Sequence, residues 1–111
     1  ERQKVPSAEN AQTTTEAPVV TVTQRRILLD GVPAGSSVDV LQGGRLTRLD
    51  GLFNQLKAKR ELWRQLHPGE DFPGVVVLQI DRAVPSLVVK SAFQTAAYAG
   101  YPNVSFLVRK R

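Results

Sequence analysis

Few side chains in this sequence could carry chemistry. His67 is the sole histidine and there is no cysteine. Thiol nucleophiles, thiolate zinc sites, iron–sulfur clusters and disulfides are therefore excluded. His67 stands before Pro68 at the end of an apolar periodicity, where it reads as a solvated residue favourable to a helix dipole. Asp39, Asp50, Glu70 and Asp71 fall among loops and turns without the spacing of a calcium loop. Gly43-Gly44-Arg45 lacks the lysine–hydroxyl ending of a phosphate loop and does not join a buried strand to a helix. No catalytic residue, metal site or cofactor is assigned, and the chain is read as a non-enzyme.

Two other sets of charges invite a role. Asp81 follows an apolar run and precedes Pro85 by four residues. A carboxylate there can accept N–H bonds from a loop or helix start, or face a partner from the end of a central strand. Lys57, Lys59, Arg60 and Arg64, with Arg45 and Arg48, form a basic surface along one helix. Such residues can pair with phosphates in a salt-dependent way, which makes a basic αβ nucleic-acid-binding module the alternative function. Asp50 and Glu61 interrupt the run and no aromatic residues are interleaved for base stacking. A solvated helix face explains the same pattern, and no nucleic-acid partner is expected. Arg109-Lys110-Arg111 reads as a frayed basic end.

The elements that must position these groups follow from composition and period. One hundred and eleven residues, 41% apolar and 23% charged, make one ordinary globular domain. Fifteen Lys and Arg against ten Asp and Glu give a net charge of +5 and a pI near 10.1, a balance that favours anionic partners. The longest apolar run, Val75-Val76-Val77-Leu78, is far short of the roughly 20 residues that a membrane helix needs. No apolar stretch follows the first residues as a signal peptide would require. With no initiating Met, the chain reads as a portion of something longer.

Residues 1–18 hold Thr13-Thr14-Thr15, two prolines and three glutamates, too little apolar surface to offset ordering entropy, and read as a flexible linker. Their charge is −1, leaving +6 on residues 19–111. Residues 19–23 are all β-branched and predict a strand. Ile27-Leu28-Leu29 predicts a second strand before the turn Asp30-Gly31. Residues 32–37 read as loop, and residues 38–47 are ambiguous: Val38-Asp39-Val40-Leu41 could form a short extra strand, and Gly43-Gly44 is a break. Leu46, Leu49, Leu52, Phe53, Leu56, Trp63 and Leu66 mark an amphipathic helix that His67-Pro68-Gly69 ends, with Trp63 packed on the sheet. Residues 75–80 predict a strand buried on both faces. A helix opened by Pro85 follows, with Val88, Val89, Ala92, Phe93, Ala96 and Ala97 inward and Gly100 as left-handed cap. Val104, Phe106 and Val108 alternate along a last strand. The expected fold is α+β: a small mixed sheet in the order β-β-α-β-α-β, with two helices packed on one face and the other face open.

The stretch Val75-Val76-Val77-Leu78-Gln79-Ile80-Asp81-Arg82-Ala83-Val84-Pro85, then Val88-Val89, Ala96, Ala99-Gly100 and Val104-Ser105-Phe106, resembles the periplasmic domain of the ExbD/TolR biopolymer-transport proteins. Arg26-Ile27-Leu28-Leu29-Asp30-Gly31 is similar to that family's second strand and turn. The resemblance implies a parent protein with one inner-membrane helix and a flexible linker, and places residues 19–111 in the periplasm as a homodimer. It implies an ExbB/TolQ/MotA-like channel subunit as partner in a proton-driven motor. That motor would energise a TonB- or TolA-like protein or gliding machinery, and peptidoglycan is a further expected contact. The family's proton-carrying aspartate lies in the membrane helix and has no match here, so Asp81 is not given that role. Ser86 replaces the aromatic residue often found after the proline, and residues 32–47 and the first helix exceed the usual length. The chain is thus similar to a divergent member. Within that reading, the strand edges expected to meet a partner or second copy are Val19, Val20, Thr21, Val22 and Thr23, and Val104, Phe106 and Val108.

Overall fold

The computed structural model describes residues 17–109. Most of the expected linker, residues 1–16, lies outside them, as do Lys110 and Arg111 of the basic end. The described chain forms β1 (Val19–Val22), β2 (Arg26–Leu29), β3 (Val32–Ser36), α1 (Ser37–Gly43), α2 (Asp50–Leu66), β4 (Val75–Asp81), α3 (Ser86–Tyr98) and β5 (Asn103–Arg109). The five strands make one mixed sheet in the order β3-β2-β1-β4-β5. β1–β2 and β2–β3 are antiparallel, while β1–β4 and β4–β5 are parallel.

The fold is α+β as expected, with one more strand and one more helix than the sequence predicts. The added strand is β3, whose Val32-Pro33-Ala34-Gly35-Ser36 reads as loop because Pro and Gly are poor strand formers. Pairing with β2 holds it, at the cost of a register shift between Ile27 and Leu28. The added helix is α1, which replaces the extra strand considered for residues 38–41. Its start is set by Ser36, whose hydroxyl accepts the Asp39 N–H at 3.2 Å.

The core lies between the helices and one face of the sheet. Val20, Val22, Ile27, Leu29, Val76, Leu78 and Ile80 meet Val40, Leu52, Leu56, Val88, Ala92 and Ala96 there. Val75, Val77 and Gln79 of β4 point the other way and are only half-buried. β4 is therefore covered on one side, not both.

One set of side-chain placements departs from expectation. In α3 the buried line is Val88, Ser91, Ala92, Thr95 and Ala96, so Phe93 and Ala97 are left outside. Two buried hydroxyls turn the helix this way. Ser91 Oγ accepts the Thr47 N–H and Thr95 Oγ1 accepts the Leu49 N–H, which anchors the segment before α2. Trp63 stacks on His67 at 4.2 Å and meets Phe72 edge-on at 5.5 Å, in a groove that it shares with Val75, Val77 and Ser105 of the sheet.

Candidate functional site

Two strands end the sheet, and they are treated differently. β3 carries Pro33, has an irregular register with β2 and lies under α2. A Cβ on Gly51 would sit 2.6 Å from the Ala34 carbonyl oxygen, so helix and strand touch backbone to backbone. Gln55 Nε2 donates to the Pro33 carbonyl at 3.0 Å. Proline, irregular register and a covering helix are the devices that stop an edge from pairing further.

β5 has none of them. From residue 104 to 108 it carries no charge and no proline, and it pairs in continuous parallel register with β4 alone. Phe106, Leu107 and Val108 are 54%, 53% and 62% exposed. Phe106 and Val108 stand opposite Leu78 and Ile80 of β4, on the helix side of the sheet. There Phe93 of α3 stacks on Phe106 with ring centroids 5.8 Å apart, and is itself 42% exposed. The result is an unpaired main-chain edge flanked by an apolar ledge.

The structure separates the two expected edges. Val104, Phe106 and Val108 are on the outermost strand. Val19, Val20, Thr21 and Val22 are not, because β1 is paired on both sides, to β2 and β4. Thr23 lies past the end of β1, in the turn to β2. An all-β-branched run suits an interior strand as well as an edge, and only the partner list distinguishes them. Phe93 and Leu107 belong to the exposed surface and were missed. Periodicity places Phe93 inward, and the alternation of Val104, Phe106 and Val108 leaves Leu107 on the opposite face of the strand.

The remaining candidates are dispersed. Lys59 pairs with Asp30 at 3.0 Å, Lys57 lies over the Phe53 ring, and Arg60 contacts Glu61 and the Phe72 ring. Arg48 is bound to Asp50 at 2.9 Å. Arg64 is exposed. Lys57, Lys59, Arg60 and Arg48 thus each take part in a local contact. Asp81 is buried, and its carboxylate is held by Arg109 across the β4–β5 pair, with Nε at 2.6 Å from Oδ1 and Nη2 on the same oxygen.

An apolar groove of about 1050 Å³ lies at the opposite end of the parallel strands, lined by Trp63, His67, Phe72 and Tyr101 among others. Phe72 meets Tyr101 edge-on at 5.1 Å. The Tyr101 hydroxyl donates to the Leu56 carbonyl at 2.8 Å, tying α2 to the start of β5. Burial pushes its phenol from 10.0 up to about 12, against the opposing pull of Arg60 and with a small contribution from Asp30. Among the described residues there is no group of three His, Asp or Glu placed to hold a metal ion, and no helix long and apolar enough to cross a membrane. The chain matches no family model, no curated protein and no solved structure.

Proposed function

We propose that this chain is a non-catalytic periplasmic coupling domain of an ExbD/TolR-like subunit in a proton-driven inner-membrane motor, and that it works as a homodimer joined through β5. The order β1–β2 hairpin, then β4–α3–β5 with β4 and β5 parallel, supports the family reading. The observation that carries the proposal is the contrast between the sheet's two ends. One is blocked by proline and a helix, and the other offers a strand with no charge or proline from residue 104 to 108.

A second copy fits that strand by its charge pattern. An antiparallel pair with Phe106 on the two-fold axis sets Val104 opposite Val108 and Asn103 opposite Arg109. No arginine then faces an arginine, and the two Phe93–Phe106 ledges meet. Main-chain bonds supply affinity and the apolar side chains supply register. Force applied along the strands would load such a junction in shear across several hydrogen bonds at once. In the parent protein the channel subunit and the energised envelope partner would act on this dimer.

Sedimentation of the full 111-residue chain tests the proposal. The expected mass is twice 12.2 kDa, falling to the single-chain value in Phe106→Lys, whose side chain is already solvent-facing and whose melting curve stays cooperative. A wild-type chain that sediments as a monomer throughout the micromolar range, or a Phe106→Lys chain that still dimerises, refutes it.

A further inference from the structure

The carboxyl ends of β1 and β4 meet at the other end of the molecule from the aromatic groove. The chain leaves β1 towards β2 on one side and leaves β4 through α3 towards β5 on the other. Connections that diverge between adjacent parallel strands open a crevice, and in open α/β sheets that crevice is where ligands bind. Here it measures about 450 Å³ and is lined by Thr23, Gln24, Arg25, Arg26, Asp81 and Arg82.

Its charge is one-sided. Arg25 and Arg26 come from the β1–β2 turn and Arg82 from the loop after β4. All three are exposed and none is ion-paired with another described residue. The one carboxylate in the wall, Asp81, is engaged by Arg109. Three arginines thus line a crevice whose own acid is already engaged by Arg109.

The two loops that carry them are held in place. Thr23 Oγ1 accepts the N–H groups of Arg25 and Arg26 at 3.2 and 2.9 Å. Ser37 Oγ donates to the Thr23 carbonyl at 2.8 Å, and the Ser37 N–H donates to the Arg25 carbonyl at 3.1 Å. Gln24 Nε2 reaches the Ala83 carbonyl at 3.5 Å and links the turn to the second loop. The fixed backbone keeps the three arginines around one crevice, where a bound anion would offset their like charges.

We propose that this crevice is a phosphate-monoester site, with Arg25, Arg26 and Arg82 as the recognising residues. Guanidinium forks match phosphate oxygens in pairs. A phosphate monoester brings close to two negative charges and three acceptor oxygens, which three arginines can engage. A carboxylate brings one charge and two oxygens, enough for a single fork. The crevice has room for the phosphate and part of the glycerol or sugar that bears it. A soluble phosphate monoester and the headgroup of phosphatidic acid share this chemistry. The inference stands apart from the proposed β5 dimer, since none of the three arginines belongs to that edge.

The test is an amide-detected NMR titration of the full chain with glycerol phosphate, using acetate as comparison, alongside co-sedimentation with phosphatidic acid and phosphatidylcholine vesicles. Saturable shifts at residues 23–26 and 82 with glycerol phosphate, weakened at least tenfold in Arg25→Gln/Arg82→Gln, support a soluble ester. Sedimentation with phosphatidic acid vesicles alone, lost in the same double variant, supports a headgroup. Lys57→Gln on the basic helix is expected to leave either signal unchanged. Binding that survives the double substitution, shifts that follow Lys57 and Arg64, equal response to acetate, or no response in either arm overturns the assignment.

Discussion

Replacing Tyr101 by Phe makes a measurable claim about how α2 is fastened to the start of β5. Tyr101 is 1% exposed and its hydroxyl bonds the Leu56 carbonyl at 2.8 Å. That carbonyl lies inside α2, where helix geometry already supplies the N–H of Arg60. The substitution therefore removes a second bond without orphaning the acceptor and opens no cavity beyond one oxygen. The expected cost near neutral pH is about 1 kcal/mol.

The sign reverses in alkali. The folded phenol ionises at about 12 and the unfolded one at 10.0. The folded state thus holds the proton more tightly, and this stability is fully present below pH 10 and lost as pH rises through 12. Two units correspond to about 3 kcal/mol in all, most of it lost by pH 12. Tyr101→Phe lacks this dependence. Wild type should lead by about 1 kcal/mol up to pH 10, the two should cross near about pH 11, and the variant should lead by about 1 kcal/mol at pH 12. Urea unfolding followed by far-ultraviolet circular dichroism at each pH measures the difference. All other ionisable groups are common to the two proteins and cancel. A difference that stays constant from pH 9 to 12 would show that Tyr101 ionises freely in the folded protein, and the dry α2–β5 junction would be refuted.

Two further substitutions probe what holds the sheet's covered end and the α3 anchor. Gly51→Ala should gain helix propensity of up to about 1 kcal/mol, yet the new Cβ would meet the Ala34 carbonyl oxygen at 2.6 Å. Because both clashing groups are backbone-borne, the net expectation is a loss of about 1–3 kcal/mol, seen as a lower urea midpoint; an unchanged or higher midpoint contradicts the close contact. Thr95→Val keeps the shape of a fully buried side chain but leaves the Leu49 N–H without its acceptor. A loss of about 1–3 kcal/mol is expected, with faster hydrogen exchange at Leu49 but not at the β4–β5 ladder; protection retained at Leu49 would contradict the assigned bond.

Much of the fold is written in local pattern. The β-branched run at residues 19–23, the apolar residues 75–80 and the alternation of residues 104–108 each specify a strand, because their side chains suit a pleated surface. The Leu49, Leu52, Phe53 and Leu56 spacing specifies a helix face, and His67-Pro68-Gly69 its end. Residues 32–41 were illegible. Pro33 and Gly35 disfavour a strand locally, and Ser36 becomes a cap only once β3 has delivered it to the start of α1. The inward line of α3 was misplaced for a related reason. Hydropathy ranks Phe93 above Thr95, but the Leu49 N–H needs an acceptor and Thr95 provides it.

The candidate sites divide along the same line. Amino-acid order by itself determined an α+β domain with a basic folded part, no thiol chemistry, and a strand, helix and strand in succession at residues 75–108. Tertiary structure decided which strands lie outermost, and so removed residues 19–23 from the edge and left residues 104–108 there. It also brought Arg25, Arg26 and Arg82 to one crevice, although more than fifty residues separate the turn from the loop. The physical reason is that side-chain period reports which way a residue points relative to its own strand, whereas an open edge or a shared crevice depends on which neighbours are missing or present. That is settled by pairing between segments distant in the chain.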